Sequence, residues 1–291
     1  MNRGKRLAGA LPPMHIWKGA NGVRIAGDLW GPSDRPLVVL THGGGQTRHA
    51  WKNTGVILAQ AGYHVIALDA RGHGDSGWAE DGDYSQNIMV EDLRCVLSEI
   101  GQPHPVLVGA SMGGLTSLIA VGESQIDARA LVLVDIAPKL ERAGTQRVLD
   151  FMDLRPEGFD SLEEVADAIN QYQPHRKRSK SLEGLAKSLR IDDRGKYRWH
   201  WDPQFRRRIV DPDEMELRLE TCARNISVPT LLVRGDLSDV LSESGVRAFK
   251  ELCPSAEYMN VRDTAHMIVG DRNDAFGTMA IEFLSRVVPP Q

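Results

Sequence analysis

Short aliphatic runs alternate with amphipathic stretches through the first half of the chain. Each aliphatic run predicts a buried strand, and the apolar residues between the runs recur at helical spacing. The predicted strands are residues 37–40, 64–68, 105–108 and 130–134. The predicted helices are residues 51–60, 88–100 and the segment that follows residue 111. Strands that alternate with helices in this way predict a mostly parallel sheet with helices on both faces.

The two ends of the chain extend this pattern. Residues 15–18 and 23–29 predict an opening hairpin around Asn21 and Gly22, because Asn-Gly pairs favour tight turns. Late in the chain the alternation resumes as a strand at 230–233, a helix at 247–252, a strand at 257–261 and a helix at 275–287. Both ends therefore belong to the same predicted α/β unit.

Residues 138–225 interrupt the pattern, because they contain helical stretches but no aliphatic strand. We predict that they form a helical cap, and that residues 1–137 and 226–291 form the core domain. A cap inserted there would lie over the carboxyl ends of the strands, where ligands bind in open α/β sheets. The sequence thus indicates one core and one cap.

Composition excludes several classes of function. The net charge of −4 argues against a general binder of nucleic acid or anionic membranes. The three cysteines have no disulfide or metal spacing, so we expect no bound metal and a reducing, cytoplasmic location. No segment approaches the roughly 18 apolar residues of a membrane span. The sequence leaves a monomer and a homodimer open.

The segment from Gly109 to Gly113 has the pattern G-x-S-x-G and lies between a predicted strand and a predicted helix. A serine at such a junction sits on a sharp turn that exposes its hydroxyl group. The flanking glycines permit close approach of the backbone and strained backbone angles. We therefore predict that Ser111 is a nucleophile, the alternative being a chance glycine-rich turn.

A serine hydroxyl needs a base that accepts its proton. Of the nine histidines, His266 is the best candidate, because it lies in a loop that follows the strand at 257–261. His42 and His73 lie in glycine-rich turns, where we expect their rings to bond the backbone. The predicted base is therefore His266.

The base in turn needs an acid that fixes its tautomer. We prefer Asp239, because the turn after the strand at 230–233 must extend past Gly235 to reach the base. Asp236 is the alternative, although an aspartate there can instead satisfy backbone donors of the turn. Asp135, at the end of the strand before the insertion, is a third candidate.

Nucleophilic attack on a carbonyl creates an oxyanion, which needs preorganised donors. The backbone N–H of Met112, directly after the serine, is one predicted donor. The loop at 41–46 follows a strand on the same edge and contains three glycines, of which Gly44 is the preferred second donor and Gly45 the next. The alternative is that this loop is flexible and has no role in catalysis.

Three residues are candidates for substrate binding. They are Gly45, Trp78, which follows the turn at 69–76, and Trp199. Tyr197, Trp199 and Trp201 alternate along the chain, so they share one side of an extended stretch. They either line an apolar pocket or anchor the cap to the core.

Together these motifs resemble those of the α/β-hydrolase fold superfamily over nearly the whole chain. The motifs are residues 42–45, 69–76 and 109–114, the turn at Asp239, and residues 265–267. The resemblance implies an eight-stranded sheet with a cap inserted after the sixth strand, and no cofactor. It also implies that the turn at 69–76 is structural. Within this superfamily, the groups that resemble the chain in cap position and in these motifs are esterases, haloperoxidase-like hydrolases, epoxide hydrolases, dehalogenases and carbon–carbon bond hydrolases.

Two departures narrow the expected activity. Epoxide hydrolases and haloalkane dehalogenases of this fold use an aspartate where this chain has Ser111. Carbon–carbon hydrolases often carry an aromatic residue after the catalytic histidine, where this chain has Met267. We therefore expect a serine hydrolase of the carboxylesterase type that cleaves an ester, lactone or thioester of a small acyl compound. The alternatives are a carbon–carbon bond hydrolase of a diketone or ring-fission product and a non-hydrolytic ligand receptor.

Overall fold

A computed structural model describes residues 4–172, 183–207, 211–271 and 273–290. The strands are β1 (Lys5–Arg6), β2 (His15–Lys18), β3 (Arg24–Trp30), β4 (Leu37–Thr41), β5 (His64–Leu68), β6 (Val106–Ala110), β7 (Ala130–Val134), β8 (Leu189–Ile191), β9 (Tyr197–Trp199), β10 (Thr230–Gly235) and β11 (Glu257–Val261). The α-helices are α1 (Lys52–Gln60), α2 (Gln86–Ile100), α3 (Met112–Gly122), α4 (Arg142–Met152), α5 (Leu162–Tyr172), α6 (Pro212–Arg224), α7 (Glu243–Leu252), α8 (Ile268–Asp271) and α9 (Asn273–Val287). Short 3-10 helices lie at Ala20–Gly22, Arg48–Trp51, Glu183–Ser188 and Pro203–Arg207.

Eight strands form one sheet in the order β11-β10-β7-β6-β4-β5-β3-β2. Strand β3 is antiparallel to β2 and β5, and the other neighbouring pairs are parallel. Along the chain β7 is the sixth strand of this sheet, and the insertion follows it. The predicted eight-stranded, mostly parallel sheet is therefore confirmed, as is the opening hairpin β2–β3.

The aliphatic strands are buried on both faces because successive side chains of a strand point to opposite sides. In β6, Leu107 packs in one core cluster with Leu118 of α3. Its neighbours Val106 and Val108 pack in the opposite cluster with Phe276 of α9. Continuous apolar runs, rather than alternating ones, are what a sheet between two helical layers requires.

The register of the central strands brings the functional loops to one edge. Thr41 at the end of β4 pairs with Gly109 of β6, and Ala110 pairs with Val134 at the end of β7. The residues that follow these three strands therefore emerge side by side. On the far side, Gly235 of β10 pairs with Val261 of β11, so the turns after those strands also meet.

The insertion contains strands as well as helices. Strands β8 and β9 pair antiparallel, and β1 near the N-terminus pairs antiparallel with β8. The sequence predicts only helices here, because strands of two or three residues leave no periodic signal. Thus β1 joins the insertion rather than the large sheet, and residues 173–182 and 208–210 of the insertion lie outside the described residues.

Helix α6, the last element of the insertion, packs on the core. Leu219 and Cys222 of α6 belong to the same apolar cluster as Leu118 of α3. A Cβ on Gly122 would lie 2.5 Å from the Cβ of Cys222, so glycine is needed at this crossing. The division into a core at 1–137 and 226–291 and a cap at 138–225 stays a prediction.

Buried ion pairs join the insertion to the core. The fully buried guanidinium group of Arg48 pairs with Asp69 at 2.6 Å and with Asp75 at 2.9 Å. Arg190 of β8 also pairs with Asp75, at 2.9 Å, and donates a hydrogen bond to the Gly74 carbonyl at 2.6 Å. Burial opposes ionisation of Asp69, but the Arg48 charge and the backbone N–H donors of Asp75 and Arg48 together hold the pKa of this carboxyl below its ordinary value. Charges from the core and the insertion thus neutralise one another.

Over the described residues, none of the helices combines the length and the apolar character needed to cross a lipid bilayer.

Candidate active site

Ser111 lies on a strained turn between β6 and α3. Its φ of 46° and ψ of −113° are unusual for a residue with a side chain. A Cβ on Gly109 would lie 2.4 Å from the Gly113 carbonyl oxygen, and one on Gly113 would lie 2.5 Å from the Thr41 carbonyl oxygen. Both positions therefore require glycine, and the chain turns sharply at Ser111 as its sequence predicts.

His266 forms a hydrogen bond with Asp135. Its Nδ1 lies 2.7 Å from Asp135 Oδ2, and both side chains are buried. An ionised carboxylate can only accept, so Nδ1 carries the proton and Nε2 is left as the acceptor. Asp135 is held in turn by the Gly235 N–H, which donates to Oδ1 at 3.1 Å, and by the Ser238 hydroxyl, which donates to Oδ2. This arrangement gives the imidazole the tautomer that a general base needs.

The structure does not bring Asp239, the preferred acid, to His266. The Asp239 side chain is 40% exposed and forms an ion pair with Arg147 of α4. The turn after β10 extends past Gly235 as expected, but it presents Ser238 to the Asp135–His266 pair. The carboxylate comes from Asp135, the third candidate, at the end of the neighbouring strand β7.

Asp236, the other alternative, has a role within the turn. Its Oδ1 accepts the Thr264 N–H at 3.1 Å, and this backbone donor lowers the pKa of the half-buried carboxyl. Because Thr264 lies two residues before His266, Asp236 fastens the loop that carries the imidazole.

The glycine-rich loop after β4 lies over Ser111. A Cβ on Gly43 would lie 3.3 Å from the Cβ of Ser111. The Gly43 N–H donates to Gln46 Oε1 at 3.0 Å, and the Gly45 N–H donates to His73 Nε2 at 3.3 Å, so both amides are engaged. Within the described chain the Gly44 N–H meets no protein acceptor. The loop thus leaves the amide of Gly44, the preferred donor, free for a ligand.

The Met112 N–H is available for a different reason. Met112 is the first residue of α3, and the first amides of a helix have no partner within it. The helix N-terminus also carries partial positive charge, which favours an anion. Among the described residues the Met112 N–H, the other donor predicted from the sequence, therefore has no acceptor and lies next to Ser111.

His42 and His73 bond the backbone, as the sequence analysis expects. His42 donates from Nδ1 to the Gly43 carbonyl at 2.8 Å and accepts the Ala70 N–H at Nε2 at 3.0 Å. Burial lowers the pKa of His42, and it lowers the pKa of His73 to about 3. Both rings are therefore neutral supports of the glycine-rich loop rather than bases.

Ser111 and His266 line one cavity of about 40 Å³. The loop at 43–46 forms one wall, Met267 and Val269 form another, and α4 and α5 close it. The side chains from these helices are Val148, Phe151, Met152 and Tyr172. Sequence reasoning missed these four residues, because an amphipathic helix does not reveal what its apolar side covers. Such a small, mostly apolar space suits a short uncharged group.

Of the substrate-binding candidates, Gly45 lines this cavity, whereas Trp78 and Trp199 are absent from its described lining. Trp199 stacks on Trp201 with ring centres 4.9 Å apart and contacts Phe151 at 5.3 Å. Its Nε1–H donates to the Leu154 carbonyl at 3.1 Å. These partners all belong to the insertion, so the Trp199 ring packs within it, and these contacts support neither of the two predicted roles.

Comparison with known proteins fits this geometry. The chain matches the family described as alpha/beta hydrolase fold over residues 36–272. It is 33% identical to "Esterase Rv0045c" of Mycobacterium tuberculosis over 200 residues, which cover 67% of this chain and 66% of that protein. It is 25% identical to the 3-hydroxybutyrate-oligomer hydrolase of Cupriavidus necator over 256 residues, 84% of this chain and 87% of that protein.

A solved structure of the M. tuberculosis esterase superposes with a TM-score of 0.74 at 26% identity and covers 96% of this chain and 94% of that one. The sheet order, the turn at Ser111 and the family match agree with one another. This chain belongs to the alpha/beta hydrolase fold family.

Proposed function

We propose that this protein is a serine hydrolase that cleaves a carboxylic ester, or a related lactone or thioester, through an acyl-enzyme. One observation carries the proposal: Ser111 and His266 line the same cavity, and His266 is bonded to the buried Asp135. Relatives that are named as an esterase and as an oligomer hydrolase support the ester as the bond class. The cytoplasmic location and the oligomeric state stay predictions.

In the acylation half, Ser111 Oγ forms a bond to the acyl carbon while its proton passes to His266 Nε2. The carbonyl electron pair moves onto oxygen, and the N–H groups of Gly44 and Met112 stabilise the resulting oxyanion. The oxyanion then re-forms the carbonyl, the bond to the leaving oxygen or sulfur breaks, and His266 gives its proton to the leaving group. Asp135 remains ionised throughout and stabilises the imidazolium form.

In the deacylation half, water takes the place of the leaving group. His266 Nε2 accepts one proton from the water as the water oxygen forms a bond to the acyl carbon. The bond between that carbon and Ser111 Oγ then breaks, and the proton returns to Oγ. One water is consumed, the carboxylic acid is released and the enzyme is restored.

The first test is hydrolysis of p-nitrophenyl esters of increasing acyl length by the wild-type protein and by Ser111→Ala. We expect wild-type turnover, and a loss of about 10⁴-fold or more in the variant, because removal of a triad member leaves only binding and oxyanion stabilisation. Ser117→Ala is the matched control. Ser117 is a buried serine of α3, the helix that begins directly after Ser111, and its hydroxyl donates to the Gly113 carbonyl.

Two outcomes would contradict the proposal. Undiminished turnover by Ser111→Ala would exclude Ser111 as the nucleophile. A folded wild-type protein that hydrolyses no ester, lactone or thioester would favour the carbon–carbon hydrolase or the ligand receptor. Diketone turnover followed by absorbance, and ligand binding without turnover, would separate those two.

A further inference from the structure

Two imidazole rings hold Gly45, the residue after Gly44. The Gly45 N–H donates to His73 Nε2 at 3.3 Å, and the Gly45 carbonyl lies 3.2 Å from His200 Nε2. Gly45 has a φ of +73°, a conformation that favours glycine. Both peptide groups of Gly45 are therefore fixed by side chains from outside the loop.

The partners of His200 determine its tautomer. The Gly74 N–H donates to His200 Nδ1 at 2.8 Å, so this nitrogen carries no proton. Nε2 therefore carries the proton and donates it to the Gly45 carbonyl. His200 is fully buried, and burial lowers its pKa, so the ring stays neutral and keeps both bonds.

His200 belongs to the insertion, whereas Gly45 and Gly74 belong to the core. The segment around it is fastened to the core on the C-terminal side, where the Asp202 N–H donates to the Gly72 carbonyl at 2.8 Å. The Tyr84 hydroxyl donates to the Asp202 carboxylate. The neighbouring Trp201 donates from Nε1 to the Met152 carbonyl of α4 at 3.3 Å. This segment of the insertion is thus seated on the core beside the glycine-rich loop.

We propose that His200 is a positioning residue of the oxyanion site, and that the insertion thereby completes the catalytic loop of the core. Gln46 holds Gly43 on one side of Gly44, and His73 and His200 hold Gly45 on the other. The Gly44 N–H shares its peptide group with the Gly43 carbonyl, which accepts the Gln46 N–H at 3.1 Å and the His42 Nδ1–H at 2.8 Å. That Gln46 N–H shares its peptide group with the Gly45 carbonyl, so the bond from His200 helps to set the direction of the Gly44 N–H through one intervening peptide. The inference rests on the proposed function, in which this amide stabilises the oxyanion.

His200→Phe tests the role, because phenylalanine fills a similar space and removes both hydrogen bonds. We expect kcat to fall about 10-fold to 100-fold with KM nearly unchanged, somewhat less than the loss of a whole oxyanion donor. His200→Gln should recover part of the loss, because the amide nitrogen of glutamine can donate to the Gly45 carbonyl.

Tyr84→Phe is the matched control. It removes a buried hydrogen bond that fastens the same segment through Asp202, and it leaves Gly45 untouched. We expect it to lower the melting temperature to a similar extent while kcat stays within about threefold of wild type. Circular dichroism and thermal unfolding establish that each variant is folded.

The second readout is inhibition by a trifluoromethyl ketone with the acyl length of the best ester substrate. This ketone adds to the serine and forms a tetrahedral oxyanion, so its inhibition constant should rise in parallel with the loss of kcat. A purely structural role of His200 would not produce that parallel.

The outcomes separate the two proposals. If wild type hydrolyses esters and His200→Phe behaves like Tyr84→Phe in kcat and in ketone inhibition, the role of His200 is refuted and the proposed function stands. If wild type hydrolyses no acyl compound, both fail together. If His200→Phe does not fold, two other variants replace it: His200→Gln, and His200→Asn, whose side chain is too short to reach Gly45. Unchanged kcat and unchanged ketone inhibition in both folded variants would refute the role.

Discussion

At the scale of single residues, one carboxylate oxygen of Asp135 accepts two hydrogen bonds. His266 Nδ1–H and the Ser238 hydroxyl both donate to Oδ2. The Ser238 bond helps to fix the direction in which this oxygen meets the imidazole. In Ser238→Ala the carboxylate loses one of the hydrogen bonds that orient it. We expect kcat/KM to fall about threefold to tenfold, because a hydrogen bond of this kind is worth about 1 kcal/mol.

The matched control for this prediction is Ser242→Ala. Ser242 lies in the same connection and caps α7 by accepting the Gly245 N–H at 3.2 Å. Its loss should reduce stability by about 1 kcal/mol and leave kcat/KM within about twofold of wild type. An unchanged kcat/KM in Ser238→Ala would show that Ser238 does not position the pair.

The same residues show how far the sequence determines a site. Ser111 could be predicted because its glycine neighbours and its position between strand and helix leave few other conformations. His266 could be predicted from its place after the last strand. The choice among Asp135, Asp236 and Asp239 could not, because all three follow strands on one edge. It depends on which side chain turns inward, and that is set by contacts such as the Gly235 N–H to Asp135.

At the scale of elements, α4 forms one side of the cavity beside Ser111. Met152 of this helix lies against the loop, since a Cβ on Gly44 would be 3.3 Å from its sulfur atom. Met152→Ala should open the cavity, and the ratio of kcat/KM for hexanoyl over acetyl esters should rise about tenfold or more, given what each buried methylene contributes. The measurement is the chain-length series of p-nitrophenyl esters.

Leu149→Ala is the control on the same helix. Leu149 is half-buried and is absent from the described lining of the cavity, so its truncation should leave the ratio unchanged. Equal ratios in Met152→Ala and wild type would show that α4 does not limit the acyl group.

Elements also differ in how well the sequence predicts them. The strands of the large sheet were predictable, because burial on both faces requires continuous aliphatic runs such as residues 37–40 and 130–134. Strands β1, β8 and β9 were not, since two or three residues carry no periodicity. Their pairing accompanies contacts between distant parts of the chain, such as the ion pair of Arg190 in β8 with Asp75 of the core.

At the scale of the whole molecule, buried neutral histidines link stability to pH. The described histidines whose pKa is lowered by burial are His42, His49, His73 and His200. In the unfolded chain a histidine takes up a proton near pH 6.5, whereas in the folded protein these rings stay neutral to lower pH. The unfolded state therefore binds more protons below pH 6.5, and stability must fall as the pH falls.

Each such histidine contributes a slope of up to about 1.4 kcal/mol per pH unit between its two pKa values. We expect the free energy of unfolding to be constant near pH 7.5 and to fall steeply below pH 6.5, with His73 contributing down to its folded pKa of about 3. At pH values below the ordinary pKa of an aspartate, the lowered pKa of Asp69 adds a further loss in the same direction. Urea unfolding at a series of pH values measures the slope.

His200→Phe separates this linkage from a general loss of stability. The variant should be less stable near pH 7.5, but its slope between pH 5 and 6 should be smaller by about one proton, because one linked group is gone. Tyr84→Phe, which loosens the same segment without removing a histidine, should keep the full slope. If His200→Phe kept the full slope, the His200 imidazole would already be protonated in the folded wild-type protein. The donation from Gly74 to Nδ1 would then be impossible, and with it the assignment of the tautomer that fixes Gly45.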